Sequence, residues 1–317
     1  MMITRLAFLV QVASTVSAFQ AFQPSPTTAR SVSSSTRLQV TPAEAIATLS
    51  TSQENIIRKI QTTISDLEAK DDFTWKGNDV VVDSSPVTLD ARDAAGPSNV
   101  AWLSSLCVDS KMSALQVFNG PLNDVPHLVS RCVVLGGDKM RLTIDFRPRG
   151  YGAYEMRRPD GSYPGPDELG RKSFEYSGAR SDYDKKFGTE EVKEFLSSFP
   201  LEGAVPCDIP PTELDLLTRG PLYTCIDMPL TEANVDVVVA AREKAAYYWL
   251  SWSQEPEHEH RPGAPINSQY VYDTKYKQNA FGALMSEYTA IFGADGGKQL
   301  AIGDSGPLDE AYVGGGS

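Results

Sequence analysis

The sequence predicts a single α/β domain, an α/β/α sandwich whose central, largely antiparallel sheet is flanked by helices. Three observations carry the prediction. Strand-like runs gather in the middle of the chain, with helical periodicities before, between and after them. Cys132 to Leu135 and Met140 to Phe146 flank Gly136-Gly137-Asp138-Lys139, which reads as a β-hairpin and so as an antiparallel pair. Strict βα alternation is missing, which argues against a Rossmann or TIM architecture. The domain is read over residues 41–302, with 1–40 as a leader and 303–317 as a flexible, Gly-rich tail.

The domain opens on Thr41-Pro42-Ala43-Glu44, a helix start with Thr as N-cap, Pro in the first turn and Glu three residues on. Ile46, Leu49, Ile56, Ile60, Ile64 and Leu67 then recur at helical spacing up to Lys70. Asp79 to Asp83 reads as a short strand around Val80, and residues 84–99, with Pro86, Gly96 and Pro97, read as loop. Ala114 to Phe118 is a strand ended by Asn119-Gly120-Pro121. In the second hairpin arm Leu142, Ile144 and Phe146 share one face, and Arg141, Thr143 and Asp145 the other. Residues 147–172 are rich in Gly, Pro and Tyr, a long surface excursion of the kind that is usually functional or disordered. Thr189 to Phe199 reads as a helix with Phe195 and Leu196 inward, and Leu222 to Ile226 as a strand. Thr231 opens a helix to Trp252, with Val235, Val238, Arg242, Ala245, Trp249 and Trp252 close to one stripe. A last helix spans Asp273 to Phe292 and stops at Gly293.

The first forty residues differ in composition. Arg5 is followed by an apolar run from Leu6 to Val10 and by small residues ending Val16-Ser17-Ala18, the pattern of a secretory signal peptide. The run falls well short of the about 20 apolar residues that span a bilayer. Phe19 to Val40 is rich in Ser and Thr, holds Arg30 and Arg37 and has no acid, the composition of a transit peptide. A secreted protein with an unstructured N-terminus is the plainer reading. Signal followed by transit, with Phe19 just past the cleavage site, resembles the bipartite plastid-targeting leaders of diatoms and related algae, and implies delivery to the plastid stroma. Without residues 1–40 the chain keeps 26 basic and 41 acidic residues, a formal net charge of −15. So acidic a chain is repelled by phosphates and anionic lipid, and neither nucleic acid nor a membrane is an expected partner once the leader is removed.

Common catalytic signatures are absent: no P-loop, no G-x-S-x-G elbow, no H-E-x-x-H and no G-x-G-x-x-G between strand and helix. Cys107, Cys132, Cys207 and Cys225 are widely spaced and form no CxxC pair, so they read as small buried thiols. His258 and His260 fit a solvated loop better than a metal site, since no third ligand of matching type lies nearby, and no metal is expected. His127, in Val125-Pro126-His127-Leu128, suits either a satisfied structural histidine or a proton donor. Between Lys139 and Arg158 the charge inverts: Lys139, Arg141, Arg147, Arg149, Arg157 and Arg158 stand against Asp145 and Glu155 only. That island could grip carboxylates on a ligand with bidentate arginines, or steer an acidic protein partner; a solvated charged loop has the same composition.

Two stretches resemble the ferredoxin-dependent bilin reductase superfamily, which includes red chlorophyll catabolite reductase. Ala114 to Phe118, then Asn123-Asp124-Val125-Pro126-His127-Leu128, then Leu142 to Pro148 are similar to the family's strand, its D-x-P approach to the next strand and its hydrophobic-D-hydrophobic-x-P strand end. Tyr276-Lys277-Gln278-Asn279, with Leu284 and Ile291-Phe292-Gly293, resembles its C-terminal K-Q-x-N helix running to a Phe-Gly stop. The resemblance implies an α/β/α sandwich holding an open-chain tetrapyrrole between sheet and C-terminal helices. It also implies no tightly bound cofactor, single electrons from reduced ferredoxin, and protons from acidic side chains aided by a His or Asn. The family's acids would fall near Arg131 and at Ala280, and its His or Asn near Ala114, so none of the three is kept.

The function expected from this resemblance is ferredoxin-dependent reduction of a linear tetrapyrrole, a bilin or a chlorophyll catabolite, in the plastid. Asp124, His127 and Asp145 are the candidate proton donors or substrate orienters. Arg141, Arg147 and Arg149 are candidates for holding propionates or docking ferredoxin, and Asn279 for contacting substrate. The missing acids leave a non-catalytic tetrapyrrole-binding protein of the same fold as the alternative.

Overall fold

The computed structural model describes residues 39–308 apart from 97, 137, 150–182, 184 and 256–265, with the backbone alone at 266–269, 271 and 272. Residues 1–38 of the leader, Arg157, Arg158, His258, His260 and most of the long excursion lie outside the described residues.

Helix α1 (Pro42–Thr63) starts on the capping box read from the sequence: Thr41 Oγ1 accepts the Glu44 N–H at 3.3 Å, and Glu44 accepts the Thr41 N–H at 2.9 Å. Strands β1 (Glu68–Ala69), β2 (Trp75–Val82), β3 (Ser85–Ala94), β4 (Val100–Val108), β5 (Met112–Asn119), β6 (His127–Leu135) and β7 (Lys139–Arg147) follow. Then come α2 (Glu190–Ser197), β8 (Val205–Pro206), α3 (Glu213–Thr218), β9 (Thr224–Pro229), α4 (Glu232–Ser253) and α5 (Ile266–Ser305). The strands form one sheet in the order β1-β3-β4-β5-β6-β7-β9-β8, with β2 also on β3. Every pairing is antiparallel.

The α/β/α sandwich is therefore the observed architecture. Strand alternation sends Leu115, Val117, Leu128, Leu142, Ile144 and Phe146 to one face, against α1 and α4. It sends Trp102, Leu106, Ala114, Phe118 and Val133 to the other, against Tyr276, Ala280, Leu284, Tyr288 and Phe292 of α5. On the first face Arg242, 1% exposed, donates to Ser130 at 3.0 Å, to Ser113 at 2.9 Å and to Gln53. Burial pulls this guanidinium down to about 10.

Three expectations need correction. Residues 84–99 are not loop, because β3 alternates buried Val87, Leu89 and Ala91 with Thr88, Asp90 and Arg92. Pro86 masks the pattern, yet it sits at the start of the strand, where a proline is tolerated. The helix does not end at Gly293. That residue breaks α5 with φ 77 and ψ 171, a conformation open to glycine alone, and the helix then resumes to Ser305. Nor is the chain a flexible tail from residue 303. Asp304 and Ser305 are fully buried, and Asp304 accepts the Ser104 hydroxyl at 2.6 Å.

Candidate functional site

The face of β6 and β7 beneath α5 carries Arg131, Arg141, Thr143, Asp145 and Arg147. The segment around α3 brings Thr212, Asp215, Arg219 and Tyr223 over it. All of these but Asp145 line one cavity of about 230 Å³, among them four arginines, Arg131, Arg141, Arg147 and Arg219, and Ala283, Glu287 and Ile291 of α5 close it.

Two of the four guanidiniums, Arg141 and Arg147, are hydrogen-bonded to acids on the sheet, and a third, Arg219, lies near one. Arg141 makes a two-pronged contact with Asp227, at 2.6 and 2.7 Å, and this hydrogen bonding raises its pKa. Arg147 donates to Asp145 at 3.1 Å and to the Tyr276 hydroxyl at 3.2 Å. Arg219 lies 3.5 Å from Asp215, and its guanidinium covers the Tyr223 ring at 4.3 Å. Arg131 differs. One nitrogen donates to Glu287 at 2.5 Å and another stands 3.6 Å from Asp304. Its Nε and Nη2 are buried and have no hydrogen-bond partner among the described residues. Burial works against its charge, but Glu287 and Asp304 outweigh burial and raise its pKa. A buried charged donor left unbonded is costly, and an anionic acceptor within its reach would remove that cost.

Behind Arg147 lies Asp145, fully buried, whose Oδ2 accepts the Gly220 N–H at 2.9 Å. A Cβ at Gly220 would come within 2.7 Å of Asp145 Oδ1 and 2.8 Å of the Phe146 carbonyl, so this approach requires glycine. Tyr276 donates to the Thr218 carbonyl at 3.3 Å, and burial pushes its hydroxyl up to about 12. The Tyr276 ring stacks on His127 at 4.7 Å. His127 Nδ1 accepts the Asn119 N–H at 3.0 Å, which places the proton of the neutral ring on Nε2. Nε2 has no partner among the described residues, and His127 lines a second cavity of about 140 Å³ with Phe118, Asp273 and Lys277.

Burial, then Arg149 and Arg147, holds the His127 pKa well below its ordinary 6.5. The ring is thus a neutral donor at physiological pH, able to offer Nε2–H to an acceptor. Since the fold favours the neutral form, His127 contributes stability that is present above about pH 6.5 and is lost as pH falls toward the folded-state pKa. His127→Asn keeps an acceptor for the Asn119 N–H. It is expected to flatten the loss of stability between pH 7 and pH 5.5 by up to about 1.4 kcal/mol per pH unit, measured by urea denaturation. An unchanged slope would show that His127 titrates alike in both states.

The structure gathers only some of the residues singled out from the sequence. Arg141 and Arg147 face the larger cavity, with Asp145 behind them, and His127 faces the smaller. Arg149 faces neither: it donates to the carbonyls of Gly120 at 2.6 Å and Asn123 at 2.7 Å and pairs with Asp273 at 2.5 Å, tying a turn to α5. Asp124 is buried beside Lys186, 3.1 Å away, and Asn279 is half-buried on α5; neither is among the residues lining the two cavities. Arg131, Arg219, Tyr223 and Tyr276 were not anticipated as site residues. Alternation along β6 from His127 points to Arg131, whereas nothing in the local pattern points to Arg219 or Tyr223.

The four cysteines are not all thiols. Val205 pairs with Asp227 and Pro206 with Ile226, so Cys207 falls opposite Cys225, and the two form a disulfide with Cα atoms 5.4 Å apart. Cys107 and Cys132 are free, and burial pushes Cys132 up to about 11. Among the described residues no group of three or more His, Cys, Asp or Glu side chains could hold a metal ion, and no helix is long and apolar enough to cross a membrane.

No protein-family model matches the chain, and no curated protein matches it by sequence. Among solved structures it is similar to the crystal structure of phytochromobilin synthase from tomato in complex with biliverdin. The TM-score is 0.50 and the identity 14%, over 80% of this chain and 83% of that chain. What the two share at that identity is the fold: the sheet of antiparallel strands between helical layers, with the arginine-lined cavity of this chain lying between sheet and C-terminal helix.

Proposed function

We propose that this protein binds a linear tetrapyrrole with a carboxylate in the arginine cavity, and reduces it with single electrons from ferredoxin. The observation that carries the reading is Arg131, a buried guanidinium on the cavity wall whose Nε and Nη2 lack partners among the described residues. A propionate carboxylate is a planar, two-pronged acceptor for such a group. The fold shared with a protein crystallised with biliverdin supports the choice of ligand. The Ser- and Thr-rich, acid-free leader supports work in the plastid stroma.

The chain's own contribution is to bind, exclude water and hold protons, since ferredoxin supplies the electrons and no tightly bound cofactor is proposed. Arg147 holds Asp145 and Tyr276 together at the cavity edge, and the Tyr276 ring stacks on His127. Asp145 and His127 are the proposed proton donors or orienters, and Asp124 acts through its position beside β6. A second reading is favoured by Arg131 and Ala280 standing where the resembling family has acids: a protein that binds the tetrapyrrole without reducing it. Absorbance titration with biliverdin, followed by ferredoxin and a reducing system, separates the two. A shifted band that bleaches or moves on reduction is the expected result; a shifted band that stays put makes this a binding protein. No shift at all removes biliverdin as the ligand.

A further inference from the structure

The outer wall of the arginine cavity is a strap, residues 207–219, that leaves β8, carries Ile209, Pro210 and Thr212 along the cavity, and passes through α3 to Arg219. Its far end is anchored. Leu214 packs against α5 so closely that a Cβ at Gly282 would come within 2.7 Å of it, and Gly220 donates to Asp145. Its near end is held differently. β8 has two residues, Val205 is 56% exposed and Ile209 50%, and the Cys207 N–H donates to the Cys225 carbonyl at 3.1 Å. Among the described residues, the Cys207–Cys225 bond is the covalent tie between this end and the sheet, and both sulfur-bearing residues line the cavity. Both are part-exposed, and Cys207 lies between the exposed Pro206 and Asp208, so a small or protein-borne dithiol can reach the bond from that side.

The closed cavity is also small for a tetrapyrrole. Its volume of about 230 Å³ falls below the roughly 300–1,000 Å³ usual for cofactor-sized ligands. We propose that Cys207–Cys225 is a thiol–disulfide exchange site for a dithiol reductant, and that its reduction frees the near end of the strap and opens the arginine cavity. One reductant thiolate attacks a protein sulfur, forming a mixed disulfide and releasing the other cysteine as thiolate. The second reductant thiol then closes its own disulfide and releases the remaining cysteine. Two electrons pass from the dithiol to the protein sulfurs, and the two cysteines take up two protons. The ligand named for the cavity rests on the tetrapyrrole reading, but the movement of the strap does not.

The test compares the full chain before and after dithiothreitol, with thiols counted under denaturing conditions to confirm two and then four. Two readouts are taken: amide hydrogen exchange over residues 203–219 without ligand, and biliverdin affinity. Reduction is expected to speed exchange in this stretch by about tenfold or more while the β5–β7 amides stay protected. Biliverdin is expected to bind about tenfold tighter, because apparent affinity scales with the open fraction. Cys207→Ser/Cys225→Ser should behave as the reduced protein with or without dithiothreitol. Unchanged exchange at four thiols overturns the proposal, as does equal biliverdin affinity in the two forms. Faster exchange with no biliverdin bound by either form supports the mobile strap and instead removes the tetrapyrrole reading.

Discussion

Arg131→Met is expected to weaken biliverdin binding by about 30-fold or more, the lower end of the roughly 2–5 kcal/mol lost when one partner of a buried, hydrogen-bonded charge pair is truncated. The reason lies in how the four arginines differ. Arg141 and Arg147 are occupied by Asp227 and Asp145, so removing either exposes an acid as well as a binding site. Arg131 already meets Glu287 through one nitrogen and has two more with no hydrogen-bond partner among the described residues. Methionine keeps the bulk of the stem and removes those donors. Arg131→Lys, which keeps the charge but not the planar fork, should fall between wild type and methionine. Because the change also takes a cation from Asp304, some loss of stability will accompany it. Arg242→Met provides the comparison: that arginine is as deeply buried but lies on the opposite face of the sheet, so it should lower stability without altering affinity. Affinity of Arg131→Met within threefold of wild type would mean that carboxylates are not held at this wall.

How far the sequence reveals this site depends on whether a residue's neighbours are local. The hairpin of β6 and β7 was legible because Gly136 to Lys139 interrupts two alternating runs, and the same alternation correctly put Arg141, Thr143 and Asp145 on one face. The capping box at Thr41 was legible for the same reason, being complete within four residues. β3 was obscured by Pro86 and by the acidic residues of its solvent side. The cavity was harder still. Arg219 and Tyr223 reach it from a connecting segment without periodicity, and Cys207 meets Cys225 through β8–β9 pairing, across 18 positions. Arg149 shows the opposite failure. It belongs to a basic run that suggests ligand binding, yet two backbone carbonyls and Asp273 take up its Nη1 and Nη2 donors in the interior.

Asp304→Ala is expected to cost about 3–5 kcal/mol, the usual consequence of leaving a buried charge without its partner. For a domain of this size that corresponds to a fall of roughly 6–20 °C in Tm. The carboxylate accepts the hydroxyls of Ser104 and Tyr288, each at 2.6 Å, and stands 3.6 Å from Arg131. Alanine would leave two buried hydroxyls without their acceptor and Arg131 with Glu287 alone, whose side chain is 36% exposed. The neighbouring contacts explain why the effect should be global. The backbone of this last turn accepts Trp102 Nε1 at Gly303 and Gln116 Nε2 at Asp304, both at 3.3 Å, so it clamps the end of α5 to β4 and β5. Gly306 completes the clamp, with φ +73 and its N–H on the Ile302 carbonyl, in contact with the Trp102 ring. Asp304→Asn keeps an acceptor but not the charge and should lose less than the alanine variant. Thermal melts of the three proteins decide the matter: a Tm for Asp304→Ala within 2 °C of wild type would mean that the packing of Trp102 and Tyr288, without the carboxylate, is enough to hold α5 over the arginine cavity.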